Sequence, residues 1–246
     1  MEKNINFDTT LGDFVASYPK TRKVFENFGL DYCCGGKQDL KKAAEAKNVD
    51  INALLEELEE TINKGIEEDS EEIKIWKDES IKNIINHIVS KHHTYMRSEL
   101  PRIDTLLNKI VQVHGPKHGD FLNSLSATYK LLKEALEEHL NDEEMILFPF
   151  AKELEAGANE ADKSKNTGSD YKEIVEILYT EHEDAGEALA KMRNITSNYV
   201  LPTDACASFE SLYESLEALE DDLHEHVHLE NMVLFPKIEK LMGEKE

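Results

Sequence analysis

His139-Leu-Asn-Asp-Glu143-Glu-Met-Ile-Leu-Phe-Pro149 is written a second time in this chain, as His226-Val-His-Leu-Glu230-Asn-Met-Val-Leu-Phe-Pro236. Both copies read His-x-x-x-Glu-x-Met-x-Leu-Phe-Pro. A histidine and a glutamate four apart stand one turn from each other on the same helix face. Each copy therefore offers a ring nitrogen and a carboxylate to one point in space. Two such helices facing each other in a bundle can hold a pair of metal ions.

The residues around each copy fix where that face points. Along one helix the apolar positions step Leu212, Leu216, Leu219 and Leu223, and the next inward slots are His226 and Glu230, before Val233. Along another, Leu132 and Leu136 lead to His139 and Glu143, then Ile146. Two further histidines sit on apolar stripes of their own, His93 between Val89 and Met96, and His182 between Leu178 and Leu189. His93 and His182 lie 89 residues apart, and His139 and His226 lie 87 apart, so the chain reads as two related helix pairs. Six polar groups aimed into an apolar core must be satisfied, because an unpaired buried polar group costs several kcal/mol. A closed hydrogen-bond network would suffice for any one of these histidines. Four histidines and two glutamates in a twofold pattern favour metal. Imidazole with carboxylate suits iron, manganese or zinc, and the absence of cysteine from the pattern disfavours a thiolate zinc site. Ferritin-like sites are spelled Glu-x-x-His, and that spelling occurs here once, at Glu225 and His228, so it is the weaker reading.

The predicted fold is all-α: an antiparallel four-helix bundle behind a small N-terminal three-helix domain. The helical periodicity of Leu11, Phe14, Val15, Val24, Phe25 and Phe28 stops at Gly29, resumes over 40–46, and resumes again after Asp50, a candidate cap, through Ile51, Leu54, Leu55 and Leu58. Residues 1–66 form this domain, 67–77 a charged linker, and 78–246 the bundle. The bundle's first helix carries Ile81, Ile84, Ile85, Ile88 and Leu100 and breaks at 114–119; a polar loop spans 157–170, and Pro202 and Thr203 mark the start of the last helix. With 51 acidic and 28 basic residues the net charge is −23, which repels nucleic acid and anionic lipid. No apolar run has the length of a membrane span, and the N-terminus lacks the apolar core of a signal peptide, so a cytoplasmic protein is expected. Three cysteines, two of them adjacent, are no disulfide framework.

Asp31-Tyr-Cys-Cys-Gly-Gly-Lys37 supplies the remaining motif. Together with the bundle it gives the chain a resemblance that extends over nearly its full length. The bundle resembles a hemerythrin-like domain, and the whole chain resembles the iron–sulfur cluster repair di-iron proteins, the repair-of-iron-centres family. The resemblance implies a non-haem, carboxylate-bridged pair of iron ions held by His93, His139, Glu143, His182, His226 and Glu230, with both glutamates bridging. The choice of His93 over His92 rests on it. Oxygen-carrying hemerythrins use a fifth histidine and an aspartate; this chain matches neither, which speaks against reversible oxygen storage.

The expectation is a protein that repairs iron–sulfur clusters damaged by nitrosative or oxidative stress, by supplying iron, with damaged iron–sulfur proteins as partners and an electron donor the sequence does not name. Monomer and homodimer both fit. Cys33 and Cys34 are the redox or docking candidates, because an exposed thiol at a glycine turn near Lys37 can have a depressed pKa. The enzymatic alternative is reduction of nitric oxide at the di-iron pair, and the binding alternative is an oxygen or nitric oxide sensor. His87, His92 and His228 flank the ligand set as candidates to orient it, and Glu181 stands beside an access route. His114 and His118 are expected in solvent, and Cys206 in the core at the start of the last helix.

Overall fold

A computed structural model describes residues 9–18, 21–30, 32, 36, 38–65, 76, 78–157 and 168–243. Cys33 and Cys34, the expected linker apart from Trp76, and the loop at 158–167 lie outside them. The described residues contain helices, turns and one isolated bridge between Thr10 and Asp39. The chain divides into two compact units, Met1–Ile84 with Val227–Lys240, and Ile85–His226 with Leu241–Glu246.

The first unit opens with four helices, α1 (Leu11–Ser17), α2 (Arg22–Asn27), α3 (Leu40–Ala46) and α4 (Ile51–Gly65). The first of the three predicted stretches is thus a pair of short helices. Pro19 explains the division, since a residue preceding proline is disfavoured in the α region. At the end of α2, Gly29 takes φ +66° and the Leu30 amide donates to the Phe25 carbonyl at 2.8 Å, the bond that closes a Schellman turn. Asp39 accepts from the Lys42 amide at 2.8 Å, and Asp50 accepts from the Asn52 amide at 2.9 Å, so α3 and α4 each start on a carboxylate cap. Leu11, Phe14, Val15, Phe25, Leu40, Leu54 and Leu58 are buried together. Gly12 lies against Met232: a Cβ built there would stand 2.7 Å from Met232 Cε.

The second unit holds the long helices. After α5 (Ile81–Ile88) and a five-residue π turn, π1 (Val89–His93), the helix α6 runs Thr94–Asp142. It is helical throughout except at His118, with φ −122° and ψ 19°. Tyr129 donates its hydroxyl to the Leu100 carbonyl at 2.7 Å. Were α6 straight, those residues would stand about 43 Å apart, so the helix folds back on itself. Arg97 donating to Asn141 at 3.1 Å places the reversal beside His118, within the predicted break. A second π turn, π2 (Glu143–Leu147), leads to α7 (Phe148–Glu155); α8 is Gly168–Thr196, and α9 (Ala207–Leu229) passes through π3 (Glu230–Leu234) into α10 (Phe235–Gly243). Helix α9 begins later than expected, because 202–206 is a turn in which the Ala205 amide donates to the Pro202 carbonyl. Among the described residues no helix is long and apolar enough to cross a membrane.

The π turns recur with the motif. In each, the amide after the turn donates back five residues: Thr94 to Val89, Phe148 to Glu143, Phe235 to Glu230. Pro149 and Pro236 stand two residues past the ends of two of them. A proline has no amide to give the carbonyl four residues earlier and its ring crowds that carbonyl, so widening the preceding turn by one residue relieves both faults. The extra residue shifts the inward register. Ile146, expected in the core, is 41% exposed, and Leu147 is buried in its place.

Tyr129 ties the arm of α6 that follows His93 to the arm that carries His139. Tyr129→Phe is expected to lower stability by about 1 kcal/mol, the loss of one buried hydrogen bond. Urea unfolding should report it as a lower midpoint at unchanged slope.

Candidate metal centre

The three π turns, with α6, α8 and α9, bring the six residues together. His93, Glu143, His226 and Glu230 each offer one ligand atom within 4.8 Å of the others, and so do His139, Glu143, His182 and Glu230. All six are buried, with Glu143, His226 and Glu230 at 0% exposure. The two groups share both glutamates and divide the histidines into pairs. Within each pair the rings face each other through Nε2: His93 and His226 at 3.3 Å, His139 and His182 at 3.2 Å. Glu143 Oε2 stands 3.3 Å from His93 Nε2 and 3.5 Å from His139 Nε2, so one carboxylate serves both pairs.

The protonation pattern follows from the outer contacts. His93 Nδ1 pairs with Glu144 Oε1 at 2.8 Å, and His139 Nδ1 with Glu181 Oε2 at 2.8 Å. A carboxylate accepts, so each Nδ1 carries a proton, and the neutral ring then presents the Nε2 lone pair inward. Lone pairs of neighbouring rings therefore converge beside carboxylate oxygens of Glu143 that accept no hydrogen bond among the described residues. That assembly is unfavourable by itself and becomes favourable around a cation. Two nitrogens each about 2.1 Å from one ion and separated by roughly 100° stand about 3.2 Å apart, close to the spacing seen in both pairs. The residues present fit a pair of metal ions.

Both outer glutamates are held ionised. Burial pushes Glu144 up, but hydrogen bonds from His93 and from Arg97, whose Nη2 lies 3.0 Å from the same oxygen, outweigh it and set its pKa below the ordinary value. The hydrogen bond from His139 lowers Glu181 against a smaller opposing effect of burial. Glu181 also stands at a cavity of about 220 Å³ lined by Leu131, Leu132, Ala135, Leu136, Ala188 and Leu223, which reaches His139 and His182.

The flanking histidines take other roles. His92 pairs through Nδ1 with Asp222 at 2.9 Å and stacks on the His226 ring, with centroids 5.5 Å apart and planes 10° from parallel. His87 lies edge-on to His92, and His228 edge-on to Tyr32. His114 and His118, expected in solvent, are half-buried and partnered: His114 Nε2 lies 3.3 Å from Cys206 Sγ, and His118 Nε2 2.8 Å from Asp204. Cys206 is exposed, correcting its expected place in the core. It precedes α9 and its carbonyl accepts from the Phe209 amide, so Phe209 fills the first inward slot. The hydrogen bond from His114 brings the Cys206 thiol down to about 7.

Glu144, Arg97, Asp222 and the π turns went unread in the sequence. Glu144 sits off the apolar stripe in the run Asp142-Glu143-Glu144, which reads as a solvated face, and its counterpart in the second copy is Asn231.

A buried carboxylate between imidazoles stabilises the fold only with a cation beside it. A divalent metal at a hundred times its Kd is expected to add about 2.7 kcal/mol to wild-type stability. Glu143→Gln should lose most of that increment while its metal-free form unfolds no earlier than the wild type. Thermal unfolding with and without metal checks both.

Residues 84–238 match the hemerythrin HHE cation binding domain, and residues 7–62 match ScdA_N, a domain of unknown function. The iron–sulfur cluster repair protein YtfE of Enterobacter sp. strain 638 is 34% identical over 230 residues, which is 94% of this chain and 96% of that one. The protein of the same name from Citrobacter koseri is 33% identical over the same coverage. An all-α bundle that buries four histidines and two glutamates, matched along its length by these relatives, belongs to the hemerythrin HHE cation binding family and, within it, to the group of the YtfE proteins.

Proposed function

We propose that this chain is a cytoplasmic di-iron protein that repairs iron–sulfur clusters damaged by nitrosative or oxidative stress, and that it does so by supplying iron. The observation that carries the reading is the pair of ligand groups sharing Glu143 and Glu230. The residues that would hold two non-haem irons are His93, His139, Glu143, His182, His226 and Glu230, with both glutamates available to bridge. Relatives over 94% of the chain bear the name of iron–sulfur cluster repair proteins, and the same role is assigned here. Residues 1–66 act as a separate domain, 67–77 as the linker and 78–246 as the iron-holding bundle.

Bound there, the irons supply one-electron cycling and an exchangeable store of metal. Imidazole and carboxylate hold Fe(II) less tenaciously than a cage of thiolates, so metal can pass from this site to a cluster assembled on cysteines. Glu144 and Glu181 keep the Nδ1 protons of His93 and His139 in place, which fixes both rings with Nε2 inward. The seven apolar residues around the cavity, Ala185 among them, limit the access of bulk water to the His139–His182 side. Cys33 and Cys34 dock the damaged partner or relay electrons to it.

That cavity also favours a second reading, because an apolar passage ending at two imidazoles suits a small neutral molecule. The reaction would be reduction of two nitric oxide molecules, with two electrons and two protons, to nitrous oxide and water. Headspace nitrous oxide under multiple turnovers separates it from iron supply.

Protein reconstituted with Fe(II) under anaerobic conditions is expected to hold close to two irons per chain and to restore the activity of a nitric-oxide-damaged [4Fe–4S] dehydratase. His139→Ala should lose both iron and repair. The double change Cys33→Ala with Cys34→Ala should keep the iron and abolish repair. Zinc, or no metal after reconstitution, would overturn the proposal, and repair surviving the double change would remove the role given to the cysteines.

A further inference from the structure

The two helix pairs repeat the ligands but not the groups behind them. At one position, formed by His93 and His226, the outer carboxylate is Glu144, and its Oε1 accepts from both His93 Nδ1 and Arg97 Nη2. At the other, formed by His139 and His182, the outer carboxylate is Glu181, which among the described residues accepts from His139 Nδ1 alone. Among the described residues Glu181 has no lysine or arginine partner. The asymmetry is written in the sequence: the positions in the second half that correspond to Arg97 and Glu144 are Gly186 and Asn231, and Glu181 corresponds to His92. Solvent does not level the difference, since the Glu144 and Glu181 side chains are 30% and 38% exposed.

A carboxylate that accepts from the outer nitrogen of a ligating imidazole draws the proton toward itself and makes the inner nitrogen a stronger donor. A guanidinium on the same oxygen takes up part of that charge and weakens the effect. His139 is therefore the stronger donor of the two, and a stronger donor stabilises the ferric ion over the ferrous. We infer that Glu181, acting through His139, makes the two metal positions inequivalent, so that the first electron leaves from the ion held by His139 and His182 and the ion held by His93 and His226 stays ferrous. Glu181 is on this reading a positioning and tuning residue, not a catalytic one. In the step itself one Fe(II) becomes Fe(III) and an outer-sphere acceptor takes the electron, as when ferricyanide becomes ferrocyanide. No bond forms or breaks, and the hydrogen-bonded proton stays on His139 Nδ1. The cavity reaches the same position, so the ion that oxidises first is also the one open to small molecules.

The inference rests on the di-iron reading above, and its test keeps the two apart. Wild-type protein, Glu181→Gln, Glu144→Gln and Arg97→Gln are reconstituted with Fe(II), their iron content is measured, and each is titrated with mediators while the mixed-valent state is followed by electron paramagnetic resonance. Glutamine keeps an acceptor oxygen at each place and removes only the charge. With two irons per chain throughout, Glu181→Gln is expected to raise the first midpoint potential more than the second. Glu144→Gln should raise the second more than the first. Arg97→Gln, which leaves Glu144 unshared, should lower the second. A first couple that moves more in Glu144→Gln than in Glu181→Gln, or that moves equally in both, overturns the inference while the di-iron site stands. Wild-type protein that binds no pair of irons overturns the di-iron reading itself.

Discussion

Glu143 has no contact with solvent, its oxygens accept no hydrogen bond among the described residues, and ring nitrogens of His93 and His139 stand within 3.5 Å of one of them. Isolated in an apolar interior, an ionised carboxylate is several kcal/mol out of place even after the protein relaxes around it. Everything near it in the structure acts in the same direction. Outer carboxylates hold a proton on Nδ1 of His93 and His139, so in their neutral form those rings offer it lone pairs and not hydrogen bonds. The remaining partner of the right sign is a cation, and the ring pairs on either side leave two places of the right size.

Holding six such groups in register demands something of the backbone that a regular α-helix does not provide. His93, Glu143 and Glu230 all lie in π turns, while the histidines four residues before the two glutamates lie in α-helix. The Phe-Pro pair at the end of each motif copy supplies the cause, since a proline in mid-helix strands the carbonyl four residues back. The widened turn places the glutamate of each copy on the inward face and then carries the chain on with Leu147 and Leu234 buried. Proline thus does in this bundle what it more often does as a kink, and the local fault coincides with the functional residue.

This also decides what could be read in the sequence. The apolar stripes of α6 and α9 are regular up to the histidines, and regular spacing is what periodicity detects, so the bundle and the inward face of His139, Glu143, His226 and Glu230 were legible, while His93 was told from His92 by resemblance alone. Past Glu143 the π turn adds a residue, and ideal helical spacing mispredicts Ile146 as core. Glu144 and Glu181 were illegible as partners for another reason. Each lies next to a ligand in sequence, on the shoulder of a helix, where an acidic residue is ordinarily solvated; only the tertiary fold shows that Glu181 reaches His139, 42 residues away, and Glu144 reaches His93, 51 away. Cys206 failed differently. Its position just ahead of α9 looks like the first turn of an apolar stripe, but the stripe starts at Phe209, and a residue at the cap faces outward.

The two halves of the bundle would be expected to drift apart where drift is cheap. The inward ligands are fixed by one another, since losing any of them leaves a buried polar group uncompensated. The outer groups face partial solvent, where a change of charge costs little stability. Arg97 against Gly186 and Glu144 against Asn231 are differences of that kind. They leave the ligand geometry alone and alter only how strongly each imidazole donates. A symmetric pair of ions would have no reason to release or oxidise one member before the other. On the proposed reading, a protein that hands over metal gains from a pair that can be drawn on one ion at a time, and the outer groups are where the fold can introduce that difference without disturbing the core.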